Sequence, residues 1–260
     1  MSVFDSISDL YDRSRPHYPS TIFDDLAEMA GLGPSSRVLE IGCGTGQATV
    51  DLAPRVGSVL CVEAGTNLAK RAAYNLAGCA NVQIVSSRFE SYVPEESSFD
   101  AVFAATCWHW LDPASRYRHA YECLERAGKL CILTNGHAFP DGFDPFFREI
   151  QTCYEATCDS DERRFLWPPL RPDATPDVSP EIQASGFFRN VQVRRTLWHV
   201  DYTVEQYIDL LGTYSDHLAM KPQRRADLFT SIRSIAGKRS CPTIRKHYQA
   251  ILHVAERLDR

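Results

Sequence analysis

Three glycines within five residues, Gly42-Cys43-Gly44-Thr45-Gly46, separate a β-favouring run from a stretch of helical character. No other feature restricts the fold of this chain so tightly. Arg37 to Ile41 is a short β-favouring run that stops at glycine, and Gln47 to Pro54 reads as the helix after the turn. Glycine at such a point allows a sharp turn and lets a ligand approach the backbone. The free amides at the start of a helix can donate hydrogen bonds to that ligand.

The surrounding sequence alternates between the two periodicities. Ser20 to Ala30 has apolar residues at helical spacing, ended by Gly31, Gly33 and Pro34. Val59 to Glu63, Val82 to Ser86, Phe99 to Ala105 and Lys129 to Thr134 read as further strands. Leu68 to Leu76 and Pro113 to Leu124 read as the helices between them. Strands alternating with helices at this spacing imply a parallel α/β sheet covered on both faces. After Thr134 the rhythm breaks. Residues 137–185 are rich in proline and aromatics, including Trp167-Pro168-Pro169, and read as helix plus loop covering one end of the sheet. Val191 to Val200 reads as a strand, and 203–239 as helical with a break near Lys221-Pro222. Thr243 to Glu256 fits either a strand running into a short helix or a helix throughout. The expectation is one domain over 1–260, with a ligand-binding core at 1–136 and helical cap-like segments at 137–185 and 203–239.

Composition excludes several classes. Hydrophobic residues make up 44% and charged residues 23%, so a packed core is expected rather than disorder. The formal charge of −5 lacks the basic footprint of a nucleic-acid binder. Basic pairs such as Arg194-Arg195 and Arg224-Arg225 lie among acids and apolar residues and read as solvated surface. The nine cysteines form no CxxC pair and no zinc spacing, so they read as buried small hydrophobes in a reducing compartment, with no metal site expected. No secretory leader and no membrane-length apolar run is read, which leaves the cytoplasm as the expected location.

The loop departs from the dinucleotide fingerprint, because its third glycine comes one residue early. Glu40 precedes it, where a dinucleotide site would rarely place a charge beside a pyrophosphate. A carboxylate there suits a cofactor with a cationic amino-acid end and a sulfonium. The second strand ends in Glu63, at the distance from which an acid accepts hydrogen bonds from ribose hydroxyls.

The run VLEIGCGTGQAT, Glu63, Phe99-Asp100 opening the fourth strand and Gly128 before the fifth resemble the class I S-adenosylmethionine-dependent methyltransferases over roughly residues 11–136. The resemblance implies a Rossmann-like seven-stranded sheet with helices on both faces, its last strand inserted antiparallel. It implies S-adenosylmethionine as cofactor, with the backbone of Gly42, Cys43, Gly44 and Gly46 on the methionine portion and Glu63, with Ala64 beside it, on the ribose. Many members carry an acid after the third strand that takes the adenine amino group. Arg88 stands at that place here, so the Phe89 amide and packing are expected to hold adenine. A narrower resemblance, to the small-molecule type 11 and trans-aconitate-type branch, rests on Tyr11-Asp12-Arg13-Ser14-Arg15-Pro16-His17-Tyr18-Pro19, on Trp108-His109-Trp110 and on Gly212-Thr213-Tyr214-Ser215. It implies that the N-terminal segment folds over the cofactor, with Tyr11 near it and Arg15 on the methionine carboxylate.

Ligands of an open parallel sheet bind beyond the carboxyl ends of its strands. The strand tails supply Gly42, Glu63, Ser87 and Thr106, the last counted with the cofactor contacts. His109 is the candidate base, since imidazole titrates near neutral pH. Tyr18, Trp108, Trp110, Tyr214 and His217 are the candidate walls of the acceptor pocket. The function expected is methyl transfer to a small molecule at oxygen, nitrogen or carbon. The alternatives are a methyltransferase-fold protein that binds without catalysis and, against the glycine spacing, a nicotinamide oxidoreductase.

Overall fold

The computed structural model describes residues 4–94, 99–157 and 169–259. Seven strands form one mixed sheet in the order β3-β2-β1-β4-β5-β7-β6. They are β1 (Arg37–Ile41), β2 (Ser58–Glu63), β3 (Val82–Ser86), β4 (Phe99–Ala105), β5 (Leu124–Ala138), β6 (Phe188–Thr203) and β7 (Thr243–Arg257). The first five run parallel, and β7 lies antiparallel between β5 and β6. This is the Rossmann-like methyltransferase arrangement. Among the described residues no helix is long and apolar enough to cross a membrane.

Residues alternate across a strand, so a sheet covered on both sides has two cores. Val38, Ala101, Phe103, Cys131 and Leu133 point into one cluster, with Phe23 and Leu26 of α2 (Thr21–Ala30) and Leu52 of α3 (Thr49–Leu52). Leu39, Ile41, Val102, Ala104, Leu130 and Ile132 point into the other, with Tyr117 and Ala120 of α5 (Arg116–Cys123). Between them in sequence lies α4 (Thr66–Asn75), which follows β2, and ahead of all these lies α1 (Ser8–Ser14). The cysteines among the described residues are free, and most of them are buried.

A third cluster holds the cap. It joins α6 (Phe146–Glu149), α7 (Gln151–Thr157), α9 (Val204–Leu211) and α11 (Pro222–Ala236) to Tyr202 of β6 and Tyr248 of β7. The short α8 (Ser179–Ala184) precedes β6, and α10 (Ser215–Ala219) links α9 to α11. Helix α9 starts at a capping box: the Gln206 N–H donates to the Thr203 hydroxyl at 3.3 Å, and the Thr203 N–H donates to the Gln206 side chain at 2.9 Å. This reciprocal pairing satisfies two amides that the helix itself leaves open.

Three sequence expectations change. The stretch 243–257 is strand throughout, with neither of the helical segments considered for it. From Tyr248 to Ala255 β7 is buried on both faces, so the alternation that marks a strand is missing there. The helix after the glycine loop starts only at Thr49 and passes into a 3₁₀ turn at Ala53–Arg55, because residues 44–48 are occupied by turns. Strands β5 and β6 outrun their expected ends, since each continues alongside β7. Trp167-Pro168 lies outside the described residues.

Candidate active site

The sheet order reverses between β1 and β4, and the crevice outside their carboxyl ends is the natural ligand position of such a fold. Gly42 takes φ +62°, and a Cβ built on it would lie 3.0 Å from the Cβ of Cys107. The Cys107 thiol donates to the Ile41 carbonyl at 2.9 Å, so the two strand ends are clamped at the point where the loop leaves β1. Thr106 follows β4 directly, at φ +54°. A β-branched residue in that region is strained, and such strain concentrates at functional sites. Its hydroxyl lies 3.3 Å from that of Tyr18.

Glu63 is nearly fully buried at the end of β2. It accepts from the Gly44 amide at 2.9 Å and from the Gly65 amide at 2.8 Å. A carboxylate has about four lone-pair sites, so acceptor capacity remains after these two bonds. Burial raises its pKa, and the two amide bonds oppose that rise. Asp5 lies close by and caps the start of α4, accepting from the Asn67 and Leu68 amides at 2.6 and 3.1 Å.

The N-terminal segment packs over the loop. Gln47 donates to the carbonyls of Asp12 and Arg15 at 3.4 and 3.3 Å, and Asn75 bridges the Asp12 carboxylate to the Thr45 carbonyl at 2.7 and 2.9 Å. The Arg15 guanidinium lies 5.0 Å from the Tyr11 ring and 4.6 Å from the Tyr214 ring. One of its nitrogens donates to the Thr213 carbonyl at 2.8 Å, while Nε is buried without a partner.

A cavity of about 520 Å³ opens between these elements and the cap. Tyr11, Arg15, Tyr18 and Thr106 line its side near the loop. His109, Trp110, Tyr214 and His217 also line it. His109 is exposed on a 3₁₀ turn at the cavity, 4.9 Å from the Trp110 ring. Burial lowers its pKa, and the charge of Arg116 lowers it further. Both His217 nitrogens are engaged: Nδ1 lies 3.1 Å from Asp216 and Nε2 lies 3.0 Å from the Tyr154 hydroxyl.

Other expected residues are placed elsewhere. The Trp108 side chain is buried in the core against Tyr117, 5.0 Å between ring centres, and does not line the cavity. Residues 108–110 turn as a 3₁₀ segment, so Trp108 and Trp110 cannot share one wall. Arg88 is largely exposed, 3.5 Å from Glu90 and outside the cavity lining. The side chains of Cys43 and Phe89 enter the two cores, leaving only their backbones to the crevice. Glu40 faces Cys61 in the core at 3.8 Å and is 1% exposed, so it does not meet a ligand at the loop mouth. Sequence reasoning missed Asn135, His137, Tyr154, Asp216 and Lys246, which all line the cavity. Only the position of β7 between β5 and β6 brings Lys246 there.

Residues 38–128 match the family model described as a methyltransferase domain. An uncharacterized methyltransferase of Mycobacterium tuberculosis is 31% identical over 134 residues, covering 51% of each chain. An uncharacterized methyltransferase-like protein of Schizosaccharomyces pombe is 26% identical over 126 residues, covering 48% of each. The chain spans about half the length of the curated relatives it matches. Among solved structures, a candidate type II methyltransferase from Anaeromyxobacter dehalogenans superposes with a TM-score of 0.64 at 20% identity, covering 93% of this chain and 97% of that one. YcgJ of Bacillus subtilis superposes at 0.56 with 18% identity, covering 92% and 98%. Residues 38–128 of this chain are therefore similar to a methyltransferase domain, and the chain shares its fold with these solved structures.

Proposed function

We propose that this protein transfers the methyl group of S-adenosylmethionine to a small-molecule acceptor enclosed between the sheet and the cap. The observation that carries the reading is the Gly42–Gly46 loop at the topological switch point, tied to Glu63 and followed by Gln47, which lines a cavity with Thr106 and with Arg15, one of whose nitrogens is unpartnered. These features fit the cofactor. A buried guanidinium nitrogen lacking an acceptor suits a carboxylate, and Glu63 retains lone pairs for hydroxyl donors.

When bound, S-adenosylmethionine supplies an electrophilic methyl group. The protein's own residues do the rest. Arg15 holds the methionine carboxylate, and Tyr11 packs beside it. The amides of the loop line the methionine portion, and Glu63 accepts from the ribose. Adenine is held by the Phe89 amide and by packing, because Arg88 turns to solvent. Trp110, Tyr18 and Tyr214 align the acceptor and exclude water, which is most of what an in-line displacement requires. His109 accepts a proton where the acceptor must lose one. Its lowered pKa keeps the imidazole neutral at pH 7. The acidic overall charge favours a small acceptor over nucleic acid.

Calorimetric titration with S-adenosylhomocysteine and NADH tests the reading. Binding of the first and not the second is expected, together with release of S-adenosylhomocysteine when the protein turns over a metabolite mixture. Tight binding of NADH alone would overturn it. Cofactor binding with no turnover on a diverse panel would leave a binding protein of the same fold.

A further inference from the structure

We propose that Tyr154 sets the polarity of the acceptor: the group that meets its hydroxyl must donate a hydrogen bond, as an alcohol, a phenol or an amine N–H does and a ketone or an ether does not. This rests on the methyl-transfer reading above and adds a specificity residue and a ligand class to the same cavity. Three side chains from two cap helices form one chain of hydrogen bonds. Tyr154 comes from α7, and Asp216 and His217 come from α10. All three line the cavity. His217 is 2% exposed, and its ring bridges the other two. Its Nδ1 lies 3.1 Å from Oδ1 of Asp216, and its Nε2 lies 3.0 Å from the Tyr154 hydroxyl. The His217 backbone amide donates to the same Asp216 oxygen at 2.9 Å, which holds the carboxylate against the ring. The rings of Tyr214 and Phe229 pack on His217 with centres 6.0 and 5.9 Å away.

The charge on Asp216 fixes the direction of every bond in this chain. Burial opposes its ionisation, but its bonds to the ring and amide of His217 outweigh that and hold its pKa below the ordinary value. An ionised carboxylate only accepts, so Nδ1 must carry the hydrogen. A neutral imidazole carries hydrogen on one nitrogen alone, so Nε2 presents a lone pair. The Tyr154 hydroxyl therefore donates to Nε2. A phenol has a single hydrogen to give, and its oxygen keeps acceptor capacity after giving it. Toward a ligand in the cavity, Tyr154 is then an acceptor only.

The rest of the cap-side lining gives this contact its weight. Asp216 is the sole carboxylate among the described residues lining the cavity, and its Oδ1 is spent on His217. Phe139, Phe147, Ile150 and Tyr207 line the same side and hold a ligand by apolar area, which has no polarity of its own. A ligand that brings an oxygen lone pair to Tyr154 sets acceptor against acceptor and leaves both unpaired. A site built to bond a hydroxyl rejects its non-donating analogue for that reason. The contact positions the ligand and leaves the proton step to His109.

Cyclohexanol against cyclohexanone, and benzhydrol against benzophenone, supply pairs of similar shape and opposite polarity. They are titrated by calorimetry at about pH 9, above the range in which imidazole is charged, with and without saturating S-adenosylhomocysteine. In at least one pair the alcohol is expected to bind about 10-fold more tightly than the ketone. Tyr154→Phe is expected to bring the alcohol down to the ketone while the ketone stays within about twofold. A merely structural role would weaken both alike. Asp216→Ala lets the His217 ring take either tautomer and is expected to shrink the preference with Tyr154 still in place. Nitrogen NMR of the unmutated protein at the same pH is expected to find the His217 ring proton on Nδ1, a readout that needs no variant to fold. Equal binding within both pairs, a preference for the ketones, a preference that survives Tyr154→Phe, or a His217 proton on Nε2 would overturn the proposal. An alcohol preference that persists in a wild type unable to bind S-adenosylhomocysteine would count instead against the cofactor reading.

Discussion

Glu40 and Lys246 are both sealed from bulk water, one in each half of the molecule, and their surroundings differ. Glu40 lies under the glycine loop in a closed core, met by the thiol of Cys61 and the hydroxyl of Thr49. Burial raises its pKa to about 7, so its environment favours the protonated acid. Lys246 lies on the wall of a cavity with no carboxylate partner among the described residues. A buried ionisable group inside a core shifts its pKa and can settle as neutral. The same kind of group on a cavity wall has a second route, because a ligand can supply the missing charge.

The half that carries the cofactor loop should also be the less forgiving of added atoms. Gly42→Ala is expected to have the largest effect. The new Cβ meets Cys107 at 3.0–3.1 Å, and the +62° φ strains any L-residue. S-adenosylhomocysteine affinity should fall about 100-fold or the protein should fail to fold, read by calorimetry and circular dichroism. Gly136→Ala, in the half that builds the acceptor wall, meets nothing within 4 Å and should leave both readouts unchanged. Equal effects from the two changes would break the comparison.

Glu40→Gln comes next. With a folded pKa of about 7 against an ordinary 4.5, the folded state keeps a proton that the unfolded chain releases. Stability from this group is therefore full below pH 4.5, declines as pH rises to about 7 and is level above. The glutamine variant should lack that decline and gain up to about 3 kcal/mol on the wild type at pH 8, and little at pH 4.5, in urea denaturation. A wild-type stability that rises between pH 5 and 8 as steeply as the variant's would mean that Glu40 is ionised and paired.

His109→Asn should have the smallest effect on binding. S-adenosylhomocysteine affinity should not change, while turnover of a proton-losing acceptor should drop and its acid limb disappear. In the wild type that limb should lie below the ordinary histidine value of 6.5, because burial and Arg116 disfavour the cation. An unchanged pH profile in the variant would remove His109 from the proton path.

The two halves also differed in how far they could be read from sequence. Strands β1 to β4, the helices between them and the Gly42–Gly46 turn follow from local patterns, because a strand–turn–helix unit specifies itself within a few residues. Glu63 was legible for the same reason: its distance from the loop is a short count along the chain. Even there, side-chain directions were not legible. Trp108 points into the core although the next residue, His109, lines the cavity, and Glu40 faces Cys61 inside the core, since a single step along a strand or a tight turn changes the face.

The sequence by itself determined the glycine-loop half, since three glycines, an acid at the second strand end and a βα rhythm leave few folds. Tertiary structure alone decided the half that meets the cap. Strand β7 is buried on both faces from Tyr248 to Ala255, so most of its pattern carried no period, and it is separated in sequence from β5 by the cap segments and β6. Its insertion between β5 and β6 sets Lys246 beside His137 and Asn135, a meeting created by sheet pairing across more than 100 residues. Local chemistry can be read along the chain; a site assembled by long-range pairing exists only once the sheet has closed around it.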